Sequence, residues 1–238
     1  MSVMQIMGHR GAAGIAPENT LEGIQKALDI GVHWVEFDVR ATADGRLVVI
    51  HNPSTRKIAD ESMRIHKSTL STLQRLPTRS RSIIPTVPEV VQLISDRAKI
   101  NFEIKSPNCA PEVASTIKKL VNAGYEYNHF LVSSFRIKLL QEIQALDPKI
   151  PLSLLAYSVP LRFMAAKQIG LKLKAVGFNH YFVTQQFVKA AKSKRLFVYI
   201  YTVNDPKLIE KYESWGVDAV VTDHPERFIT GRQRTPSL

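Results

Sequence analysis

The chain has 238 residues, 45% of them apolar and 22% charged, with 11 glycines and 13 prolines; that suffices for one substantial core and excludes a disordered or fibrous polypeptide. Its 32 Lys and Arg against 21 Asp and Glu leave a formal charge of +11, which favours anionic partners such as phosphate, nucleic acid or acidic lipid without choosing among them. A single cysteine, Cys109, excludes an internal disulfide and a four-cysteine zinc site, and the longest uncharged apolar-rich stretch, 150–161, is broken by Pro151 and Pro160, well short of the roughly 20 residues that span a bilayer.

Residues 1–7 carry no basic leader ahead of an apolar run, so a soluble cytoplasmic protein is expected. From there, short β-branched runs alternate with helical periodicity. A strand at 3–7 precedes a helix at 21–30, and a strand at 34–39 leads through the Asp44-Gly45 turn to a second run at 47–50. Next comes a basic stretch, 53–85, in which Arg56, Lys57, Arg64, Lys67, Arg75, Arg79 and Arg81 face only Asp60 and Glu61; charge runs of this kind read as solvated faces. A helix at 86–95 follows. The alternation then becomes regular: 99–104 with 111–123, 129–132 with 136–146, 150–155 with 161–168, 175–178 with 184–194, 196–202 with 206–214, and 219–222 with 225–228.

Eight strand-plus-helix units in about 230 residues predict an α/β protein of the (β/α)8 TIM barrel type, which places its chemistry on the loops after the strand C-termini. The reading is of a single domain over 1–230 with a small insertion after the second strand, about 53–85, and a flexible tail at 231–238. An open doubly wound sheet is the rival; it rarely uses eight such units in so short a chain. Polar residues recur where strands end, at Gly8-His9-Arg10, Glu36-Phe37-Asp38, Glu103-Ile104-Lys105, Ser133-Ser134, Asn179 and Asp223.

Glu36 and Asp38 stand two apart on an apolar strand, so both leave on one face, and Glu103 ends a second strand in the same relation to Lys105. Three carboxylates at one rim repel unless neutralised, and an all-oxygen set without thiolate points to Mg2+ or Ca2+ rather than zinc; the plainer reading is that Arg40 or Lys105 pairs with them. If Asp44-Gly45 closes a two-residue hairpin, Asp38 lies opposite His51. His9 ends the first strand and reaches the same rim, and Arg10 offers a planar donor fork for phosphate oxygens. His33, His66, His129, His180 and His224 lack such companions and read as surface or packing residues. Two histidines flanking a cation site, with Arg10 and Lys105 beside it, suit a phosphodiester.

The sequence also resembles the glycerophosphodiester phosphodiesterase family. The likeness is carried by Gly8-His9-Arg10-Gly11, Ala16-Pro17-Glu18-Asn19-Thr20, Glu36-Phe37-Asp38-Val39, Val49-Ile50-His51 and Glu103-Ile104-Lys105, with further segments at 84–86, 132–135, 201–204 and 216–223. It implies a barrel that cleaves glycerophosphodiesters to sn-glycerol 3-phosphate and an alcohol. Glu36, Asp38 and Glu103 would then bind one divalent cation, His9 and His51 would form the acid–base pair, and Arg10 and Lys105 would contact phosphate. Glu18 and Asn19 would support the site; locally, Asn19 with Glu22 also reads as a capping pair at a helix start. The sequence departs from the family at Asn52, where Asp is usual, at 54–58, and at Tyr201, where Trp is frequent. Alternatives are a phospholipase D- or C-like hydrolase of lysophospholipids at a membrane surface, or a non-catalytic phosphate-binding barrel. Nucleic acid is not expected, because the basic stretch has no Phe, Tyr or Trp interleaved.

Overall fold

A computed structural model describes residues 4–156 and 170–229; the helix expected at 161–168 and the tail expected at 231–238 lie outside them. Eight parallel strands close on themselves: β1 (Gln5–Gly8), β2 (Trp34–Ala41), β4 (Lys99–Ile104), β5 (Phe130–Ser134), β6 (Leu152–Ala156), β7 (Ala175–Asn179), β8 (Phe197–Tyr201) and β9 (Ala219–Thr222). β1 pairs with both β2 and β9, which completes the ring. The remaining strand, β3 (Leu47–Val49), runs antiparallel outside β2.

The helices α1 (Leu21–Ile30), α3 (Val87–Ile94), α4 (Ala110–Asn122), α5 (Ile137–Leu146), α6 (Gln185–Lys192) and α7 (Ile209–Trp215) belong to the βα units. Their starts follow local chemistry. Thr86 caps α3 with a reciprocal bond from Glu89, and Thr20 caps α1 by accepting from the Gly23 N–H. The α1 cap is thus Thr20 and not Asn19, whose side chain is engaged elsewhere.

Alternation along the strands separates two cores. Val35, Phe37 and Val39 of β2 and Ile100, Phe102 and Ile104 of β4 point outward into the layer shared with the helices. Met7, Trp34, Leu131, Leu155, Tyr199 and Val221 fill the barrel interior. The stretch between β3 and α3 is more ordered than a loop. It contains α2 (Leu70–Arg75) and two 3-10 turns, and it buries Ile65, Leu73 and Ile84 against Val48 and Ile50. Its seven Lys and Arg are all exposed. No helix among the described residues is long and apolar enough to cross a membrane.

The β2–β3 turn differs from the sequence expectation. Val39 faces Val49, and Thr42 N–H donates to the Arg46 carbonyl at 2.9 Å, so 43–45 form a three-residue turn with Gly45 at φ +72°, the left-handed conformation such a turn requires. The register moves by one: Ile50, not His51, stands opposite Asp38, its N–H donating to the Asp38 carbonyl at 3.0 Å.

Candidate active site

The carboxylate cluster follows from strand register. Parallel pairing of β2 with β4 sets Asp38 beside Glu103 and Glu36 beside Asn101, and the inward parity of β2 adds Glu36 to the same face. One oxygen from each of Glu36, Asp38 and Glu103 lies within 4.8 Å of the others, and all three residues are buried. Buried charge is costly unless paired. Lys105 Nζ lies 3.0 Å from Asp38 Oδ1 and also pairs with Glu103, while Arg10 Nε is 3.2 Å from Asp38 Oδ2. The plainer reading of the carboxylates therefore holds in part, through Lys105; Arg40 takes no share in it.

Two cations do not neutralise three carboxylates, and the imbalance appears in their protonation. Burial lifts Asp38, but Lys105 and Arg10 outweigh it and hold the carboxyl below its ordinary range. Burial and the Asp38 charge push Glu36 up to about 8, and the same two causes raise Glu103 against the pull of Lys105. Glu36 Oε2 accepts from the Arg10 N–H at 2.9 Å, whereas its Oε1, like the Asn101 Oδ1 in the same cavity, is buried without a hydrogen-bond partner among the described residues. A hard divalent cation fits this donor set: all oxygen, anionic, clustered, and with a free lone pair aimed inward.

The turn after β1 delivers His9 and Arg10. Arg10 has φ +51° and Gly11 φ +87°, and a Cβ on Gly11 would lie 2.5 Å from the Gly23 backbone, so only glycine lets this turn sit on α1. Arg10 Nη1 donates to Glu18 Oε2 at 2.7 Å. Asn19, with φ +57°, turns its amide to Asp38, donating from Nδ2 at 2.8 Å and accepting the Asp38 N–H at 3.1 Å. Glu18 thus braces Arg10, and Asn19 orients Asp38.

His9 Nδ1 lies 2.6 Å from Asp223 Oδ1, just past β9. Asn204 fixes that carboxylate, donating to its Oδ2 at 2.8 Å and accepting the Asp223 N–H at 2.9 Å. Burial pulls His9 down, but the Asp223 hydrogen bond and the Glu36 charge outweigh it and leave the imidazole raised. Asp223 is held down at about 2, the bond and charge of His9 overcoming its own burial. Sequence reading noted Asp223 as a polar strand end without giving it a role; its pairing with a residue 214 positions away becomes visible only once the barrel closes.

His51 reaches the site because the chain leaves the sheet after β3, not through strand pairing. Arg40 secures that exit: its Nε and Nη2 both donate to the His51 carbonyl, at 2.9 and 2.7 Å. Asn52 Oδ1 lies 3.2 Å from His51 Nδ1. Burial lowers the His51 pKa by more than the Asp38 charge raises it. One cavity of about 330 Å³ is lined by His9, Arg10, Glu36, His51, Glu103 and Lys105. His180 lines it too, although it reads in sequence as a surface or packing residue. His33 accepts the Ile6 N–H, His129 accepts the Glu126 N–H, and His224 pairs with Glu226; His66 is exposed.

A closed parallel barrel with its titratable residues gathered at the C-terminal ends of the strands is the architecture of a barrel enzyme. The glycerophosphoryl diester phosphodiesterase family matches residues 9–227, and the chain belongs to that family. It is 28% identical over 238 residues to a glycerophosphodiester phosphodiesterase of Caldanaerobacter subterraneus subsp. tengcongensis, covering 94% of this chain and 96% of the relative. It is 29% identical over 245 residues to one of Bacillus altitudinis, covering 96% and 98%. Among solved structures, an Oleispira antarctica phosphodiesterase in complex with the product sn-glycerol-3-phosphate superposes with a TM-score of 0.84 at 28% identity, covering 94% of each chain. A Thermotoga maritima glycerophosphodiester phosphodiesterase gives 0.81 at 26% identity, covering 96% and 98%.

Proposed function

We propose that this protein hydrolyses glycerophosphodiesters to sn-glycerol 3-phosphate and an alcohol, with a divalent cation, Mg2+ or Ca2+, and two histidines. Support comes from the family match and from the product held by the Oleispira structure. The observation that carries the chemistry is one cavity lined by two histidines, two cations, Glu36 and Glu103, with Asp38 clustered directly behind those two carboxylates.

Glu36, Asp38 and Glu103 are the residues to hold the cation, which when bound withdraws charge from phosphate oxygen. Arg10 and Lys105 are placed to contact the remaining phosphate oxygens. The histidines divide the proton transfer by their surroundings. His51, its pKa lowered, is the neutral ring and takes the proton from the attacking oxygen as the new O–P bond forms. His9, its pKa raised by Asp223 and Glu36 and its Nδ1 held by Asp223, is the ring placed to give a proton to the departing alkoxide as the old P–O bond breaks. The non-catalytic alternative leaves the paired histidines beside the carboxylates unexplained, and the family match with relatives named glycerophosphodiester phosphodiesterases favours glycerophosphodiesters over lysophospholipids.

Release of sn-glycerol 3-phosphate from glycerophosphocholine by the purified chain tests this reading. Activity that disappears with EDTA, returns with Mg2+ or Ca2+, and is absent from His9→Ala supports it; folded protein that releases nothing with either ion refutes it.

A further inference from the structure

A second cavity, of about 340 Å³, adjoins the first across Lys105, which lines both. Arg40, His66 and Arg136 also line it, together with Pro53, Ser106 and other residues among which there is no carboxylate. The two arginines are in different states. Arg40 is half-buried and has one edge committed to the His51 carbonyl. Arg136 is exposed, and its guanidinium makes no hydrogen bond or ion pair with any described residue. Arg136 also stands at the N-cap position of α5 (Ile137–Leu146). Lys105 is already paired with Asp38 and Glu103, but Arg40 and Arg136 share a concave surface that no acid lines and repel one another until an anion enters.

The phosphate that reacts is served by Arg10 and Lys105 in the first cavity, so the second cavity faces a different part of the substrate. Glycerol bears no charge. An anion that reaches this place therefore belongs to the alcohol half. We infer that the cavity between Arg40 and Arg136 is a subsite for a leaving alcohol that itself carries an anionic group, phosphate or carboxylate, and that glycerophosphodiesters of such alcohols are the preferred substrate class. This rests on the phosphodiesterase reading of the first cavity. Arg136, presented on the rim with a free planar fork, contributes most of the discrimination; Arg40 has the additional task of holding His51.

The test compares glycerophosphoglycerol, whose leaving alcohol is neutral, with the same diester bearing a phosphate or a carboxylate on that alcohol, for wild type, Arg136→Lys, Arg136→Gln and Arg136→Glu at low and high salt. The wild type should favour both anionic diesters in kcat/KM by on the order of tenfold, the scale of one charge-assisted hydrogen bond, and added salt should shrink the preference. Arg136→Lys should keep part of it, Arg136→Gln should abolish it and Arg136→Glu should reverse it, all with turnover of the neutral diester unchanged. Preference for the phosphate alone or the carboxylate alone identifies the anion and upholds the subsite. Equal turnover of all three diesters by the wild type, or a preference that survives Arg136→Glu, overturns the subsite while leaving the phosphodiesterase reading in place. Release of sn-glycerol 3-phosphate from none of the diesters overturns that reading, and the subsite falls with it.

Discussion

The barrel mouth has two arcs built on the same backbone and filled with opposite chemistry. On β1, β2, β4 and β9, the strand ends carry His9, Glu36, Asp38, Glu103 and Asp223, five titratable groups that are largely withdrawn from water. On β5 to β8, the inward positions carry Ser133, Ser153, Leu155, Gly177 and Tyr199. There the Tyr199 and Ser153 hydroxyls lie 2.9 Å apart, and burial pushes the phenol well above its usual range. A Cβ on Gly177 would meet the Tyr199 ring at 2.6 Å. The first arc holds charge that a folded protein would be more stable without; the second is buried and uncharged. Mutations should therefore separate activity from stability according to the arc they strike.

The largest effect is expected on the charged arc. His51→Ala and His9→Ala should each lower kcat on an alkyl diester by about 10²- to 10⁴-fold, the usual contribution of one positioned acid or base, with circular dichroism unchanged. Equal and small losses from both would erase the distinction between the arcs. Next comes Gly177→Ala on the neutral arc. Overpacking should cost about 1–3 kcal/mol, seen as a lower denaturant midpoint, while the fraction that remains folded keeps its turnover.

Glu36→Gln should do the reverse of Gly177→Ala, raising ion-free stability while removing activity. The sign follows from the shift. Glu36 titrates at about 8 in the folded chain against an ordinary 4.5, so between those values the folded state keeps a proton that the unfolded state has lost, and stability falls as pH rises. The advantage of the glutamine should thus grow from pH 4.5 to 8. Mg2+ or Ca2+ should raise the melting temperature of the wild type, more at pH 8 than at pH 6 because the Glu36 proton competes with the ion, and should leave Glu36→Gln nearly unmoved. Smallest is Asp223→Asn. Losing the anion that raises His9 should move the alkaline limb of the kcat/KM profile to lower pH; an unmoved limb would detach His9 from that titration.

The charged arc was the more legible of the two in the sequence. Carboxylates two apart on apolar strands are rare enough to draw attention, and strand parity alone puts Glu36 and Asp38 on one face. What parity does not give is what happens after a strand stops. The sequence brings His51 to the Asp38 rim by way of a hairpin register that is off by one, because the turn holds three residues and not two; in the structure its position depends on Arg40 grasping its carbonyl. Asn19 reads locally as a cap, yet Thr20 occupies that place and Asn19 serves Asp38 across 19 positions. Asp223 and Asn204 come together with His9 only through closure of β9 on β1, a contact with no local signature. On the neutral arc, Gly177 and Tyr199 are unremarkable letters whose mutual fit exists only in three dimensions. The helix α2 leaves no sequence signal of its own, because six residues inside a basic stretch hardly complete two turns of periodicity.

The division of labour between the histidines is tested most directly by changing the leaving group. An aryl diester of glycerol phosphate releases a phenolate that needs no proton, whereas glycerophosphocholine releases an alkoxide that does. With His9 as the acid, His9→Ala should be nearly inactive on glycerophosphocholine yet recover most of its activity on the aryl diester, and His51→Ala should fail on both. Recovery by His51→Ala in place of His9→Ala would contradict the assignment, and recovery by neither would contradict the two-histidine mechanism.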